Sequence, residues 1–162
     1  MKNYKWPLMS NNILRSDKKV LVNFINRSNH FTNGPKVKEF EKKWSKWLGT
    51  KYSVFVNSGS SANYISISLL KIINKNKQKN EIIVPSLTWV SDINSVILNG
   101  FKPIFVDINL NNLSMNTEEV IKKINNKTLA VFITHAQGFN GLNSKLLKVL
   151  KKKKDFSYRR RM

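Results

Sequence analysis

The sequence predicts an α/β fold in which a mainly parallel sheet carries helices on both faces. Short apolar runs of strand length alternate with longer segments whose apolar residues recur every three or four positions. Most of the runs end in polar segments containing Gly, Ser, Asn or Asp, which is typical of strand-to-helix connections. At 162 residues with 41% hydrophobic content, the chain can bury one core, which favours a single domain.

Two helices are predicted before the first strand. One covers residues 17–29, and the next begins at Pro35 and ends at Gly49, because Pro suits a first helical position and Gly a helix end. Gly34 is predicted to supply an unusual backbone angle before that start. The apolar positions of the second helix share one face: Val37, Phe40, Trp44, Trp47 and Leu48. The two Trp are predicted to be core residues.

The rest of the chain alternates strands with helices. The predicted strands cover residues 52–56, 81–84, 102–106 and 128–134. The first predicted helix of this part starts inside the turn of residues 57–63 and extends to residue 72. The others cover residues 90–98, 116–124 and 144–154. Asn116 and Glu119 have the spacing of a capping box.

The turn of residues 57–63, NSGSSAN, is the strongest candidate site. A strand-to-helix turn leaves unpaired N–H groups at the positive end of the helix dipole, where an anion can bind. Ser58, Ser60 and Ser61 can add hydroxyl donors, and Gly59 tolerates the tight backbone that close approach of a phosphate needs. The alternative is that Ser58 or Ser60 simply caps the helix.

Other polar loops are predicted at the same edge of the sheet. In a parallel sheet, ligands collect at the carboxyl ends of the strands, where residues 57–61, 85–89 and 135–138 and Asp107 should lie. Trp89 beside a phosphate turn indicates an aromatic ring ligand that bears a phosphate, although Trp89 could equally be an apolar plug between helices. His135 is predicted to be a hydrogen-bonding loop residue rather than a base.

Composition excludes several classes of protein. The absence of Cys excludes disulfides and cysteine metal sites and is compatible with a cytoplasmic protein. No apolar run approaches the roughly 18 residues of a membrane span, and the N-terminus lacks a signal-peptide core. The net charge of +20 leaves open a basic domain that binds nucleic acid, but Lys is spread along the chain rather than clustered, which favours only nonspecific adsorption.

Five blocks of residues together resemble a known family. They are FTNGPKV with EFE over residues 31–41, LG with Tyr52, VNSGSSAN over 56–63, VPS with Thr88 and Trp89, and Pro103 with FVD ending at Asp107. In this order and near these spacings, across about residues 6–150, the chain resembles the DegT/StrS family of pyridoxal-phosphate-dependent nucleotide-sugar aminotransferases.

The resemblance implies a fold, a cofactor and a reaction. The fold would be the large domain of the aspartate-aminotransferase-like class, pyridoxal-phosphate fold type I, in a homodimer with active sites at the subunit interface. The reaction would move an amino group, usually from glutamate, to a keto-sugar nucleotide, with cell-surface polysaccharide as the suggested end product. By matching positions, Gly59, Ser60 and Ser61 would bind the phosphate of pyridoxal 5'-phosphate, mainly through backbone N–H groups, and Trp89 would stack on its ring. The loop of residues 32–34, Thr32, Asn33 and Gly34, would lie near the substrate.

The family's catalytic residues have no counterpart in this chain. The Schiff-base lysine and the aspartate that protonates the pyridine nitrogen fall beyond residue 162, so no catalytic residue is assigned and the chain alone is expected to be inactive. An alternative within the family also stays open. Asn63, where an apolar residue is commoner, resembles the related sugar 3-dehydrases, which replace the Schiff-base lysine by histidine.

The C-terminus departs from the family pattern. Residues 1–154 are predicted to be the N-terminal part of the large domain, and residues 155–162 an out-of-frame tail, because a Lys run followed by DFSYRRR cannot form a central strand. Read one base later, codons for that tail can encode an apolar strand with an acidic end. The hypothesis is a frameshift near Lys154.

Overall fold

The computed structural model describes residues 11–152, which divide into two compact units at the junction between Phe55 and Val56. The predicted out-of-frame tail, residues 155–162, lies outside the described residues. The assignment of residues 1–154 to one enzyme domain stays a prediction. No helix among residues 11–152 has both the length and the apolar character needed to cross a lipid bilayer.

The described part of the first unit contains two helices, and the ends of the second follow the predicted signals. Helix α1 covers Arg15–Arg27 and helix α2 covers Pro35–Leu48. Gly49 ends α2 in the left-handed region, with φ of 66°, and its N–H donates to the Lys46 carbonyl. A residue with a Cβ would be strained at this φ, so the predicted stop at Gly49 is confirmed.

The loop before α2 differs from the prediction in one respect. Asn33, not Gly34, has the positive φ, at 47°, and Asn tolerates that region better than most residues. Gly34 is extended and serves as the N-cap residue. A Cβ on Gly34 would lie 3.2 Å from Cδ2 of His30, so glycine suits this position because of a close approach rather than an unusual angle.

The prediction that the aromatic face of α2 is core is wrong. Trp44 and Trp47 are exposed, Trp47 by 74%, and Ser45 is the buried residue of this helix. The rings pack on one another instead, with centroids 5.7 Å apart for Phe40 and Trp44 and 4.9 Å for Trp44 and Trp47. Helical periodicity identified a shared face correctly, but it cannot show whether other groups cover that face.

The predicted strand over residues 52–56 is also absent. The segment has no regular secondary structure, and the Phe55 N–H donates to the Glu41 carboxylate at 2.8 Å. A strand needs a neighbouring backbone to pair with, and none of the strands described in residues 11–152 pairs with this segment. An apolar run of strand length therefore did not reveal whether a pairing partner exists.

The first unit should lose stability in acid through one carboxylate. The ammonium groups of Lys43 and Lys36 lie 2.7 and 2.9 Å from Glu39 and lower its pKa to about 2 from the usual 4.5. Because the folded pKa is depressed, the stabilisation is present above about pH 4.5 and is lost as pH falls towards 2. We expect a carboxyl NMR titration of Glu39 with a midpoint near 2 at low salt, rising with ionic strength since the pair is exposed. A midpoint that stays at the ordinary value at low salt would refute the ion pairs, and Lys43→Ala is the matched variant that should raise it.

The described residues of the second unit form, in chain order, α3 (Gly59–Ile73), β1 (Glu81–Pro85), α4 (Val90–Leu98), β2 (Lys102–Val106), α5 (Thr117–Lys123), β3 (Thr128–Val131) and α6 (Ser144–Lys152). Within this described part, the three strands form a parallel sheet with order β2-β1-β3. The helices match the prediction to within a few residues. Strand β3 ends three residues earlier than predicted, although the Phe132 N–H still donates to the Ile83 carbonyl at 2.8 Å.

Helices cover both faces of this sheet, as predicted. Side chains alternate between faces along a strand, so Ile83 points to one side and Ile82 and Val84 to the other. Ile83 packs in a cluster with residues of α5 and α6, whereas Ile82 and Val84 pack in a second cluster with residues of α3 and α4. Strand β1 is buried along its whole length, and its carboxyl end is therefore held firmly between two helical layers.

The capping box at α5 is half formed. The Asn116 side chain accepts from the N–H groups of Glu118 and Glu119, as an N-cap should. The Glu119 carboxylate does not return to Asn116; it accepts from the Asp107 N–H at 3.3 Å. The Asn116 N–H donates instead to the Asp107 carbonyl. Asp107, just after β2, therefore takes the place that Glu119 would have as the acceptor for this N–H.

Candidate functional site

The serine-rich turn begins helix α3, and Ser58 is its N-cap residue. Ser58 Oγ accepts from the Ser61 N–H at 3.2 Å, and its hydroxyl donates to Ser61 Oγ at 3.1 Å. Ser61 Oγ in turn donates to the Asn57 side-chain oxygen at 2.6 Å. The capping alternative is therefore confirmed for Ser58 but not for Ser60, and the Ser61 N–H already has an acceptor.

Two amides at this helix start remain open. Gly59 and Ser60 are exposed, and among residues 11–152 no group accepts from the N–H of either. A Cβ added at Gly59 would meet nothing within 4 Å, and the φ of Gly59 is not positive. The sequence predicted that Gly59 serves a tight backbone, but its φ does not require glycine. The absence of a side chain instead leaves clear space over the two N–H groups, which lie at the positive end of the α3 dipole.

Trp89 lies at the start of the neighbouring helix and is not buried. It is the N-cap residue of α4, with φ of −74° and ψ of 141°, and 72% of it is exposed. The alternative that Trp89 plugs a gap between helices is therefore wrong. An exposed indole beyond the carboxyl end of β1 is free to pack against a ligand ring.

Hydrogen bonds join the N-terminal parts of the two helices. Asn63 Nδ2, one turn along α3 from Gly59, donates to Asp92 Oδ1 at 2.6 Å and lies 3.2 Å from Ser91 Oγ. Both helices therefore begin at the same edge of the sheet. This is the arrangement that the sequence predicted for the serine turn and Trp89, whose binding of a ligand stays a prediction.

A second group of polar side chains at this edge was not predicted. Asp92 is buried, with 6% exposed, and its Oδ2 accepts from the hydroxyls of Thr88 and of Thr134, the latter at 2.8 Å. The two hydroxyls are 2.7 Å apart. We name Asp92, Asn63, Thr88 and Thr134 the Asp92 network. Its signal in the sequence is an Asp on the buried face of an otherwise largely apolar helix.

Among the remaining predicted loop residues, Asp107 and His135 have hydrogen-bond partners within the second unit. Asp107 at the end of β2 accepts from the Ser86 hydroxyl at 3.3 Å. His135 Nδ1 accepts from the Gly141 N–H at 3.0 Å, which confirms its predicted role as a loop hydrogen-bonding residue. Thr32, Asn33 and Gly34 lie in the first unit, between α1 and α2; that they contact a substrate stays a prediction.

Substitutions of Ser58 and Ser60 should differ in their effect on stability, because only Ser58 caps α3. Ser58→Ala removes the acceptor for the Ser61 N–H and should lower the free energy of unfolding of the second unit by about 1 kcal/mol. Ser60→Ala removes no capping bond and should change that free energy by less than about 0.5 kcal/mol. Urea unfolding followed by circular dichroism measures both. Equal losses would contradict the assignment of Ser58 as the cap.

Comparison with known proteins gives the family. The profile of the DegT/DnrJ/EryC1/StrS aminotransferase family matches residues 12–154. The chain belongs to this family. It is 36% identical over 113 residues to GDP-4-keto-6-deoxy-D-mannose 3-dehydratase of Yersinia pseudotuberculosis, covering 68% of this chain and 29% of that protein. It is 30% identical over 132 residues to GDP-perosamine synthase of Vibrio cholerae, covering 82% and 35% respectively.

A solved structure supports the fold. A putative sugar aminotransferase from Streptococcus pneumoniae, in its pyridoxamine-phosphate form, aligns with a TM-score of 0.82 and 27% identity, over 94% of this chain and 37% of that one. The same enzyme is also known in a pyridoxal-phosphate form. The predicted fold type I class is thereby confirmed. The chain spans about a third of the length of the relatives it matches.

Proposed function

We propose that this chain is the part of a pyridoxal-phosphate-dependent enzyme that binds the cofactor phosphate, and that the enzyme modifies a nucleotide sugar. The reaction we favour is transfer of an amino group from glutamate to a keto-sugar nucleotide, on a route to cell-surface polysaccharide such as lipopolysaccharide. The observation that carries the proposal is the pair of open amides of Gly59 and Ser60 at the start of α3. The N-terminal part of this helix is hydrogen-bonded to the first turn of α4, which follows Trp89.

The residues fit the phosphate of the cofactor. A phosphate bears up to two negative charges, and it gains from N–H donors at a helix N-terminus. Gly59 and Ser60 supply two such donors and open space, and the exposed Ser60 hydroxyl can supply a third. Ser61 is a weaker candidate than expected because its N–H donates to Ser58 Oγ and its hydroxyl donates to the Asn57 side chain.

The residues also fit the ring. Trp89 presents its indole in solvent at the carboxyl end of β1, where it can cover one face of a planar heterocycle and exclude water from it. The bound cofactor would supply an electron sink for the reacting carbon. The part of this chain is to hold the cofactor by phosphate and ring, while Thr32, Asn33 and Gly34 contact the substrate. No residue of the chain is assigned the proton-transfer steps.

A second reaction is favoured by a specific observation. The match at 36% identity is to a sugar 3-dehydratase, and Asn63 resembles the dehydrase form of the turn. In that case the enzyme would remove a hydroxyl group from the sugar instead of adding nitrogen. A basic nucleic-acid-binding domain, the remaining alternative, gains no support from the comparisons.

The assembly and location belong to the same proposal. We infer a homodimer for the whole enzyme and a cytoplasmic location, with which the absence of Cys is compatible. Neither a membrane nor specific nucleic acid is needed for the proposed reaction. Nonspecific adsorption of anions is expected from the net charge of +20, and binding experiments must control for it.

The reaction is tested by following nitrogen. The chain is co-expressed with the polypeptide that the hypothesised downstream reading frame would encode, and it is supplied with ¹⁵N-glutamate and a keto-sugar nucleotide. Label in the sugar supports the aminotransferase, whereas a sugar that has lost a hydroxyl and gained no nitrogen supports the dehydrase. A sugar left unchanged, when the chain binds pyridoxamine phosphate normally, would refute both reactions.

A further inference from the structure

Asp92 is a buried carboxylate that is satisfied without a cationic partner. Both of its oxygens accept hydrogen bonds: Oδ1 from Asn63 and Oδ2 from Thr88 and Thr134. Among residues 11–152, no lysine or arginine forms an ion pair with it. Burying a carboxylate is costly unless its lone pairs are used, so the network holds its donors closely around this group.

The network connects segments that are distant in the chain. Asn63 belongs to α3, Thr88 follows β1, and Thr134 follows β3, 42 residues beyond Asp92. The backbone N–H of Asp92 also donates to the Trp89 carbonyl at 3.0 Å. One residue thus holds the start of α3 with its side chain and the Trp89 backbone with its main chain.

Both parts of the proposed cofactor site lie one turn or less from these bonds. Residues four apart on a helix lie on the same face, so Asn63 sits directly below Gly59 and its open N–H. Trp89 precedes Asp92 by three residues and follows Thr88, whose hydroxyl donates to Asp92. A change at Asp92 therefore reaches the phosphate amides and the indole together.

We propose that Asp92 is a positioning residue that fixes the separation between the Gly59 and Ser60 amides and the Trp89 indole, so that one ligand carrying both a phosphate and a planar ring engages both. The inference rests on the proposed function of the site. Asp92 does not touch the cofactor; it acts through Asn63 on one side and Thr88 on the other. When the two subsites stay at a fixed spacing, a ligand that carries both groups makes its second contact intramolecularly. Its affinity therefore rises without any new contact.

The experiment compares linked and unlinked ligands by calorimetry at fixed ionic strength. Pyridoxamine 5'-phosphate carries both groups, pyridoxamine only the ring, and inorganic phosphate only the anion. Pyridoxamine phosphate is used because it lacks the aldehyde that would react with the many surface lysines of the chain. In the wild type, pyridoxamine phosphate should bind at least about tenfold more tightly than either unlinked ligand.

We call the ratio of the affinity for pyridoxamine phosphate to that for either unlinked ligand the advantage. Variants of Asp92 should change this advantage and little else. Asp92→Ala should reduce the advantage by about fivefold or more, with the affinities for pyridoxamine and inorganic phosphate kept within about twofold. Asp92→Asn should retain most of it, because its amide oxygen can accept from Asn63 while its NH₂ group donates to the two threonine hydroxyls. A general loss of structure would instead weaken all three ligands.

The matched control lies on the same pair of helices. The Ser68 hydroxyl donates to Asn99 Oδ1 at 2.8 Å and so joins α3 to the far end of α4. Ser68→Ala should leave the advantage unchanged. If Asp92→Ala fails to fold, Asn63→Leu takes its place, since it removes one bond of the network and should reduce the advantage by about threefold.

The outcomes separate the two claims. A wild type with no advantage for pyridoxamine phosphate overturns the proposed function, and this inference with it. An advantage that persists in full in Asp92→Ala, or in Asn63→Leu when the former does not fold, overturns the inference alone. Equal losses in Ser68→Ala would also overturn it, because they would assign the effect to helix pairing in general.

Discussion

Replacing Ile83 with alanine should lower the free energy of unfolding of the second unit by about 2–5 kcal/mol, the range for large-to-small changes in a well-packed core. Ile83 lies in the central strand of the described sheet, is 0% exposed, and packs among buried residues that include Val106, Val120 and Leu146. Since β1 pairs with both other strands, a cavity there weakens the sheet and the α5 and α6 layer together. Urea unfolding followed by far-ultraviolet circular dichroism measures the change.

The matched control is the same substitution on the surface. Ile72 in α3 is 77% exposed, and Ile72→Ala removes the same atoms without leaving a cavity. It should change the free energy of unfolding by less than about 0.5 kcal/mol. Comparable losses in the two variants would mean that Ile83 is not packed as described.

Replacing Trp89 with alanine should weaken binding of pyridoxamine phosphate by roughly tenfold, because stacking of a planar heterocycle on an aromatic side chain contributes about 1–3 kcal/mol. Stability should change little since Trp89 is mostly exposed. Trp89→Phe should keep most of the affinity, because a smaller aromatic face remains. Calorimetry at an ionic strength of about 0.15 M is appropriate, since salt at that level screens nonspecific attraction between the basic surface and phosphate.

A second tryptophan provides the control for this measurement. Trp47 is as exposed as Trp89 but lies in α2 of the first unit. Trp47→Ala should leave the affinity for pyridoxamine phosphate unchanged. If the two variants lost affinity equally, the loss would be a general effect of removing an exposed indole, and the specific role of Trp89 would be contradicted.

Local signals in the sequence predicted the helices well. Helix α2 starts at Pro35 and stops at Gly49, and α4 ends before Gly100, because proline and glycine act on the backbone of their own segment. Features that depend on distant partners were predicted poorly. Residues 52–56 have the composition of a strand but no strand partner within the described chain, and the apolar face of α2, with Trp47, lies exposed.

The candidate site shows the same division. The serine turn and Trp89 could be predicted, because a helix start and a strand end are visible in the local pattern. The Asp92 network could not, since its members come from α3, the exit of β1 and the exit of β3, and only the folded sheet brings them together. The Ser58 cap and the open Ser60 amide also needed coordinates, because neighbouring serines look alike in sequence.

The central claim is that the amides at the start of α3 and the Trp89 indole bind one phosphorylated ring. Titration of ¹⁵N-labelled chain with pyridoxamine 5'-phosphate, followed by NMR, tests this claim most directly. We predict that the N–H resonances of Gly59 and Ser60 and the indole N–H of Trp89 shift together and saturate at one ligand concentration, whereas pyridoxamine moves only the indole. Shifts spread over the lysine-rich surface, with those three resonances unmoved, would contradict the account.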